Sequence, residues 1–159
     1  MATVHPFLWF NLDAEAARDF YLSVFPNSRA LEAIEFTDHV GGTAKPHAIF
    51  DFELEGQRFT ALNAGRMPAF NERISLYIET KDQAETDYYW NALTADGGSE
   101  QPCGWLKDKF GVFWQVIPSE ALRLMNDPDR VKAGRARQAM YPMKKIILAD
   151  IEAAYAGRA

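Results

Sequence analysis

One segment of this chain occurs twice, and this repeat constrains the fold more than any other feature of the sequence. The first copy spans residues 7–25, FLWFNLDAEAARDFYLSVF. An offset of 68 positions (76 − 8) aligns four identical pairs: Leu8 with Leu76, Ala16 with Ala84, Asp19 with Asp87, and Tyr21 with Tyr89. Each copy has the pattern of a short strand followed by an amphipathic helix with an aromatic face. The repeat therefore predicts a duplicated α+β unit that builds a cupped pocket.

Composition narrows the class of protein and of partner. The chain has 159 residues, a net charge of −5 and a single cysteine, Cys103. A nucleic-acid partner is disfavoured because no basic stripe is present to neutralise phosphates. One cysteine excludes an internal disulfide and a cysteine-based metal cluster. No apolar run approaches the length of a membrane helix and no signal peptide is evident, so we expect a cytoplasmic protein without a membrane partner.

The first half of the chain has the pattern of one complete unit. Strands are predicted at residues 4–10, 29–37, 47–55 and 57–63, with a loop at 38–46. Residues 11–13 can cap the first helix, whose buried stripe comprises Ala17, Phe20, Tyr21, Val24 and Phe25. Residues 64–72 form a linker, so residues 1–63 make a first βαβββ module.

The second half repeats this order and adds a helical tail. Strands are predicted at 73–80, 101–106 and 112–117, and Asp82 with Glu85 matches a capping box. In the turn at 107–111, Asp108 is expected to bond its own backbone and Gly111 to supply an unusual dihedral. Helices are predicted at 119–125, from Asp127 to about 141, and at 146–155. A second module at 73–118 is thus followed by a helical tail at 119–159 that packs on the body.

Alternation along the strands separates two faces of the predicted sheets. One face is wholly apolar, as a helix-covered face requires: Leu8, Phe10, Ala48, Phe50, Phe52, Leu54, Phe59, Ala61, Ile74, Leu76, Ile78, Trp114 and Val116. The other mixes aromatic and ionisable groups, and its pocket candidates are His5, Phe7, Trp9, His47, Asp51, Thr60, Arg73, Tyr77, Phe113 and Gln115. Apolar walls with a few polar groups favour a ligand cavity. The alternative is a half-covered face whose charges pair internally.

Several segments resemble a known superfamily. They are PFLWFNLDAEAARDFYLSVFP at 6–26, AFNERISLYIET at 69–80, residues 82–97 and, most specific, CGWLKDKFGVFWQVIP at 103–118. The chain resembles the PhnB-like branch of the glyoxalase/bleomycin-resistance (vicinal oxygen chelate) superfamily, often labelled 3-demethylubiquinone methyltransferase-like. This resemblance implies an α+β fold of two βαβββ modules, a small-molecule ligand and a homodimer, sometimes with swapped modules.

The methyltransferase label gains no support from the residues. A nucleoside-cofactor methyltransferase of the doubly wound type would carry a glycine-rich turn between its first strand and helix. That turn here is Asn11-Leu12-Asp13, and the glycine pairs at 41–42 and 97–98 lie elsewhere. Methyl transfer is therefore disfavoured.

The resemblance also implies where a metal would bind. In metal-using members, four pseudo-symmetric positions on inward strand faces supply His and Glu ligands. The offset of 68 pairs His5 with Arg73, and an offset of 55 (111 − 56) pairs Thr60 with Gln115. Only His5 is a good ligand type, and the Arg73 guanidinium would repel a cation. We therefore expect no metal and no other cofactor, which also disfavours glyoxalase and ring-cleaving dioxygenase activity.

A substitute chemistry remains open at the same positions. Arg73 could hold a carboxylate or phosphate, and His5 or His47 could move a proton near neutral pH. Asp51 or Glu53 could orient either histidine. Taken singly, each group also fits a solvent-exposed surface position.

Two further features admit a functional and a plainer interpretation. Cys103 fits a small buried hydrophobe better than a nucleophile activated by nearby lysines. The run RVKAGRAR at 130–137 fits a solvated helix face better than an anion site.

Two functions fit these observations, and a purely structural role is the fallback. The first is a metal-free small-molecule-binding protein whose catalytic activity is unassigned. The second is a lyase or isomerase acting on a small oxygenated substrate, with His5 and Arg73 as candidate catalytic residues. The ligand, the reaction and the dimer geometry do not follow from the residues.

Overall fold

The computed structural model describes residues 2–40, 43–65 and 68–158, apart from the side chains of residues 38–46. The chain divides into two compact units, Met1–Ala69 and Phe70–Ala159. Each unit contains one four-stranded sheet. In both, the element order is strand, helix and three strands, which confirms the predicted pair of βαβββ modules with C-terminal helices.

The first unit is built from β1 (Phe7–Phe10), α1 (Ala14–Val24), β2 (Ser28–Val40), β3 (Thr43–Leu54) and β4 (Gln57–Asn63). Its strand order is β1-β4-β3-β2. The β1–β4 pair is parallel and the other two pairs are antiparallel. The first strand therefore enters beside the last one, so residues distant in sequence share a row of the sheet.

Helix α1 covers the apolar face of this sheet. Its side chains at Ala14, Ala17, Tyr21 and Val24 are buried. They oppose Phe10, Phe50, Phe52, Phe59 and Ala61, which are all buried. Tyr21 stacks on Phe52 with ring centroids 6.3 Å apart. The predicted helix stripe and apolar strand face are confirmed in this unit, except that Phe20 and Ala48 are only half-buried.

The cap of α1 comes from a distant residue. The side chain of the N-cap residue, Asp13, makes no capping hydrogen bond. Instead, Asn63 Oδ1, at the end of β4, accepts from the backbone N–H of Ala14 at 2.7 Å. The prediction that residues 11–13 cap this helix is wrong, because the sheet brings a better acceptor to the same N–H group.

The β2–β3 hairpin is longer than its composition indicates. Pairing continues to Val40 and Thr43, so the predicted loop at 38–46 is wrong for its described residues; residues 41 and 42 lie outside them. Cross-strand hydrogen bonding to an already formed partner overrides the local turn signals. The strand predicted at 4–10 begins only at Phe7, and His5 precedes it.

The second unit repeats this plan with shorter strands. It contains β5 (Leu76–Thr80), α2 (Gln83–Thr94), β6 (Ser99–Glu100), β7 (Trp105–Lys107) and β8 (Phe113–Pro118), and a 3-10 turn at Ala95–Gly97 follows α2. The strand order is β5-β8-β7-β6, with β5 parallel to β8. The single strand predicted at 101–106 is wrong, because residues 101–104 form a turn between two short strands.

The predicted polar turns of this unit are formed. Asp82 caps α2 by accepting from Glu85 N–H at 2.8 Å, and Glu85 accepts in return from Lys81 N–H. Asp108 accepts from the backbone N–H groups of Phe110 and Val112, and Gly111 has φ +88°.

Three helices complete the second unit: α3 (Ser119–Met125), α4 (Arg130–Met140) and α5 (Leu148–Tyr155). Their buried residues surround Ile117 of β8 in one cluster with Leu124, Ala136, Ile146 and Ile151. The N-cap of α4 is Asp129, which accepts from the N–H groups of Val131 and Lys132. The prediction of Asp127 as this cap is wrong.

No helix in the described part of the chain combines the length and apolar character that spanning a bilayer demands.

Candidate functional site

Polar candidates from β3 and β4 meet the segment before β1 on the face of the first sheet opposite α1. The register places Phe7 beside Thr60 and Thr60 beside Asp51. His5 Nε2 lies 3.1 Å from Thr60 Oγ1, and the Thr60 hydroxyl donates to Asp51 Oδ1 at 2.5 Å. Arg58 closes the chain through a short ion pair with Asp51 Oδ2. Four side chains thus form one connected polar row, which we call the His5–Arg58 row.

Ionised Asp51 holds this row together. Burial acts to raise the pKa of its carboxyl, but the Thr60 hydroxyl and the Arg58 guanidinium outweigh burial and lower it from 3.8. The Asp51 side chain is 13% exposed and Thr60 is 5% exposed. Asp51 is therefore a fixed negative charge and a hydrogen-bond acceptor at neutral pH.

Aromatic side chains stand exposed beside the row. Phe7 is 55% exposed and Trp9 is 39% exposed, although both lie within β1. The register continues the apolar surface from Trp9 to Leu62, and from there through Ile49 to Ile34. The face thus offers flat apolar surface next to anchored polar groups, a combination typical of ligand sites.

The second unit carries a weaker version of the same arrangement. Tyr77 pairs with Gln115, and Gln115 with Trp105. Gln115 Nε2 donates to Ser75 Oγ at 2.7 Å. Ser75 stands two residues before Tyr77, as His5 stands two residues before Phe7. The strands of the two units therefore correspond at an offset of 70 (77 − 7), and Ser75 occupies the place of His5.

This register changes the counterpart of His5 in the second unit from Arg73 to Ser75. The offset of 68 pairs Arg73 with His5, but Arg73 lies in a turn before β5 with an exposed side chain. Its backbone N–H donates to Asn71 Oδ1. Ile74, predicted on the covered face, is 69% exposed for the same reason. Ser75 was missed because a serine carries little sequence signal; only strand register identifies it.

Phe113 and His47 lie apart from the two rows. Phe113 is 5% exposed and therefore buried. His47 lies within β3, four residues before Asp51, and its ring is tilted against Phe36 with ring centroids 5.3 Å apart. It lines a cavity of about 510 Å³ near the start of α1, together with Leu12, Glu15, Glu35, Phe36, Thr37, Ala48, Phe50 and Asn63.

The corresponding positions of each unit, His5 with Thr60 in the first and Ser75 with Gln115 in the second, do not fit a metal. They supply one imidazole, two hydroxyls and one carboxamide, whereas zinc prefers nitrogen, sulfur or carboxylate donors and calcium or magnesium prefer carboxylates. Within each unit the two positions already hydrogen-bond each other. Across the described residues, no group of three His, Cys, Asp or Glu side chains is arranged to hold a metal ion.

The cysteine and the basic run take structural positions. Cys103 is half-buried rather than fully buried as predicted, has φ +60°, and places its Sγ 3.9 Å from the carbonyl oxygen of Tyr141. Arg135 donates to the carbonyls of Ala154 and Tyr155 at the end of α5. The prediction of a wholly solvated helix face is therefore wrong for Arg135, which serves as a C-terminal cap.

Comparisons with known proteins agree with this architecture. A family model described as 3-demethylubiquinone-9 3-methyltransferase matches residues 2–117. A PhnB protein from Bacillus cereus is 28% identical over 74% of this chain and 100% of its own, with a TM-score of 0.62. A protein from Pseudomonas aeruginosa is 21% identical over 74% of this chain and 98% of its own, with a TM-score of 0.58.

A fosfomycin resistance protein from Mesorhizobium loti is more distant. It is 14% identical over 72% of this chain and 88% of its own, and it shares the fold at a TM-score of 0.50. No curated protein matches the chain significantly. The chain belongs to the 3-demethylubiquinone-9 3-methyltransferase-like (PhnB) family.

Proposed function

We propose that this protein binds a small organic molecule on the open face of its first sheet and does so without a metal. The observation that supports this is the exposure of Phe7 and Trp9 directly beside the His5–Arg58 row. A face that merely met water would gain nothing from two large aromatic side chains there. A bound planar ligand would remove their apolar surface from water.

The polar row would orient such a ligand. Each of its groups is held by a neighbour, so little side-chain freedom remains to be lost when a ligand binds. The hydrogen bonds of Thr60 and Asp51 are made within the protein, which leaves His5 and Arg58 as the row's outer groups. The proposed site therefore combines apolar contact with orienting groups at either end of the row.

Methyl transfer is not part of this proposal, despite the description of the matching family model. A nucleoside cofactor of the doubly wound methyltransferases needs a glycine-rich turn at a helix start in a parallel sheet. In this protein β1 leads into α1 through Asn11-Leu12-Asp13, and most strand pairs in both sheets are antiparallel. These features favour simple binding over that chemistry.

A lyase or isomerase acting on a small oxygenated substrate is the second candidate. One observation favours it: His5, a residue type suited to proton transfer, is hydrogen-bonded through Thr60 to a carboxylate. Arg73, the other predicted catalytic candidate, is exposed in a turn outside both rows. The enzyme hypothesis therefore depends on His5.

A homodimer and a cytoplasmic location complete the proposal. Exposed apolar residues on β2, among them Leu31, Ile34 and Phe36, favour a second copy as a further partner of the first unit. Light scattering coupled to size-exclusion chromatography would measure the mass. A monomer at all working concentrations would contradict the dimer.

A ligand screen with matched variants tests the binding proposal. Purified protein would be screened by thermal shift against planar aromatic and small oxygenated compounds, alongside Phe7→Ala, Trp9→Ala and the control Tyr88→Ala. Tyr88 is 47% exposed but lies on α2 in the other unit. We expect hits that are lost in both β1 variants and kept in the control.

Elemental analysis of the same sample tests the metal-free claim. Stoichiometric zinc, nickel or iron, or hits unaffected by either β1 variant, would contradict the proposal.

A further inference from the structure

The direction of each hydrogen bond in the His5–Arg58 row follows from donor and acceptor chemistry. Asp51 is ionised beside Arg58, so both of its oxygens can only accept. The Thr60 hydroxyl has one proton, and at 2.5 Å from Asp51 Oδ1 this proton points to the carboxylate. Towards His5, Thr60 Oγ1 therefore offers only lone pairs.

His5 must then supply the proton of the remaining bond. Its Nε2 lies 3.1 Å from Thr60 Oγ1 and can bond there only as an N–H donor. In the neutral imidazole, a proton on Nε2 leaves Nδ1 with a free lone pair. Among the residues that the structure describes, Nδ1 has no hydrogen-bond partner.

We infer that Asp51, acting through Thr60, fixes His5 as the Nε2–H tautomer, so that Nδ1 is the proton acceptor for a bound phenol or enol. Asp51 and Thr60 are positioning residues in this arrangement. The inference rests on the proposed binding face, because Phe7 and Trp9 supply the apolar contact that a planar phenol or enol needs.

The proton step balances within the site. The ligand O–H bond breaks, its electron pair stays on oxygen, and the proton forms a new bond to His5 Nδ1. The products are an imidazolium and a phenolate or enolate. The imidazolium keeps its Nε2–H bond to Thr60. The Asp51 carboxylate on the other side of Thr60 stabilises the new positive charge. For an enol, the resulting enolate is the intermediate that an isomerase or lyase needs.

The ligand-free tautomer is tested by nitrogen NMR. The chain has three histidines, so His5→Gln assigns the His5 signals by difference. We expect a shift typical of a protonated nitrogen for Nε2, one typical of a bare nitrogen for Nδ1, and a protected Nε2–H proton. Thr60→Val removes the hydroxyl acceptor at nearly constant side-chain shape and should give a mixture of the two His5 tautomers. Thr60→Ser keeps the hydroxyl and should show the same His5 spectrum as the wild-type protein.

Two outcomes of this measurement overturn the inference, whatever the binding results. They are a proton on Nδ1 in the wild-type protein, and a His5 spectrum that Thr60→Val leaves unchanged. Circular dichroism confirms that each variant is folded.

Proton acceptance is tested with 4-nitrophenol and its matched control nitrobenzene, which lacks the hydroxyl. We expect bound nitrophenol to show the phenolate absorbance. Thr60→Val should weaken the binding affinity for nitrophenol at least about tenfold and change the affinity for nitrobenzene by less than about twofold. If both probes bind and respond alike to Thr60→Val, the acceptor role fails and the binding face stands. If Trp9→Ala leaves both affinities intact, the binding face itself fails.

Discussion

Asp108 is a carboxylate that is 1% exposed, yet it lies in a surface turn between β7 and β8. Its Oδ1 accepts from Phe110 and Val112 N–H at 2.9 and 3.0 Å, and its Oδ2 accepts from Trp114 Nε1–H at 2.8 Å. These donors make the burial of a charge tolerable. The same hydrogen bonds tie the turn to Trp114 in the core, so Asp108 fixes the conformation of the turn between β7 and β8.

Replacement of Asp108 should therefore be costly. We expect Asp108→Ala to lower the free energy of unfolding by about 3 kcal/mol or more, because two buried donors and one part-buried donor lose their acceptor. Asp108→Asn should cost less, since its carbonyl can still serve the two backbone N–H groups. Denaturant unfolding followed by tryptophan fluorescence measures both. The exposed Glu152→Ala on α5 is the control, and an Asp108→Ala loss no larger than that control would refute the assignment.

The acid stability of the first unit should depend on Asp51. Its pKa lies below 3.8 when folded, because the Thr60 hydroxyl and the Arg58 guanidinium outweigh burial. A carboxyl whose pKa is lower in the folded than in the unfolded protein stabilises the fold. This stability is fully present above the pKa of the unfolded state and is lost as pH falls through the pKa of the folded state. The stability gap between wild type and Asp51→Asn should therefore narrow as pH falls from about 5 to about 2. Urea titrations at several pH values measure it; a constant gap would contradict the shift.

At the scale of elements, Gly104 determines how the tail meets the second sheet. A Cβ at Gly104 would lie 2.4 Å from Ile117 Cδ1 and 3.0 Å from the Val116 carbonyl oxygen. Gly104 N–H donates to Lys144 O at 2.8 Å, and Cys103 N–H donates to Met143 O at 2.7 Å. The segment before α5 thus approaches the turn before β7 closely, and only glycine leaves room for that approach.

Two glycine substitutions should have opposite effects. Gly104→Ala should destabilise by about 2 kcal/mol or more, since φ is +79° and the methyl group meets packed atoms. Gly134→Ala is the matched control: Gly134 lies inside α4 with open space at its Cβ position. It should stabilise by up to about 1 kcal/mol, because alanine is the better helix former. Thermal unfolding measures both, and a neutral Gly104→Ala would disprove the close approach.

At the scale of the whole molecule, the tail is an addition to the family core. The family model ends at residue 117, and 74% of this chain covers all of the Bacillus cereus relative. The tail is nevertheless integrated into the second unit. The Gln83 side chain on α2 donates to Ile146 O and accepts from Leu148 N–H, and Lys145 pairs with Asp87 at 2.8 Å.

Removal of the tail should therefore damage the second unit. Deleting residues 119–159 would expose Ile117, which is 4% exposed in the full chain, and would remove the apolar partners around it. We expect loss of cooperative unfolding or aggregation, detected by calorimetry and light scattering. Gln83→Ala, which removes only the hydrogen bonds to Ile146 O and Leu148 N–H, should lower the free energy of unfolding by about 1–2 kcal/mol and leave unfolding cooperative. A soluble truncated chain with wild-type stability would show that the tail is dispensable.

In the first unit, most positions of the strand faces and the helix stripe were predictable from the residues, whereas caps and hydrogen-bond partners were not. Tyr21 and Phe52 were assigned to buried faces by period alone, and both are buried. The cap of α1 was not predictable, since Asn63 is 49 positions away from Ala14 in sequence. Periodicity is a local property of the chain, but a hydrogen-bond partner depends on which strands become neighbours.

The duplication, the βαβββ order and the mixed character of one sheet face were determined by the sequence alone, because side-chain alternation survives small alignment errors. Aligning the copies at 68 rather than 70 positions is a slip of two, and a slip of two keeps every residue on its face. That slip nonetheless exchanged Ser75 for Arg73 as the counterpart of His5. Only the tertiary structure decided this pairing, and with it the linkage of His5 to Asp51 through Thr60, because backbone hydrogen bonds between strands set the register that brings distant side chains together.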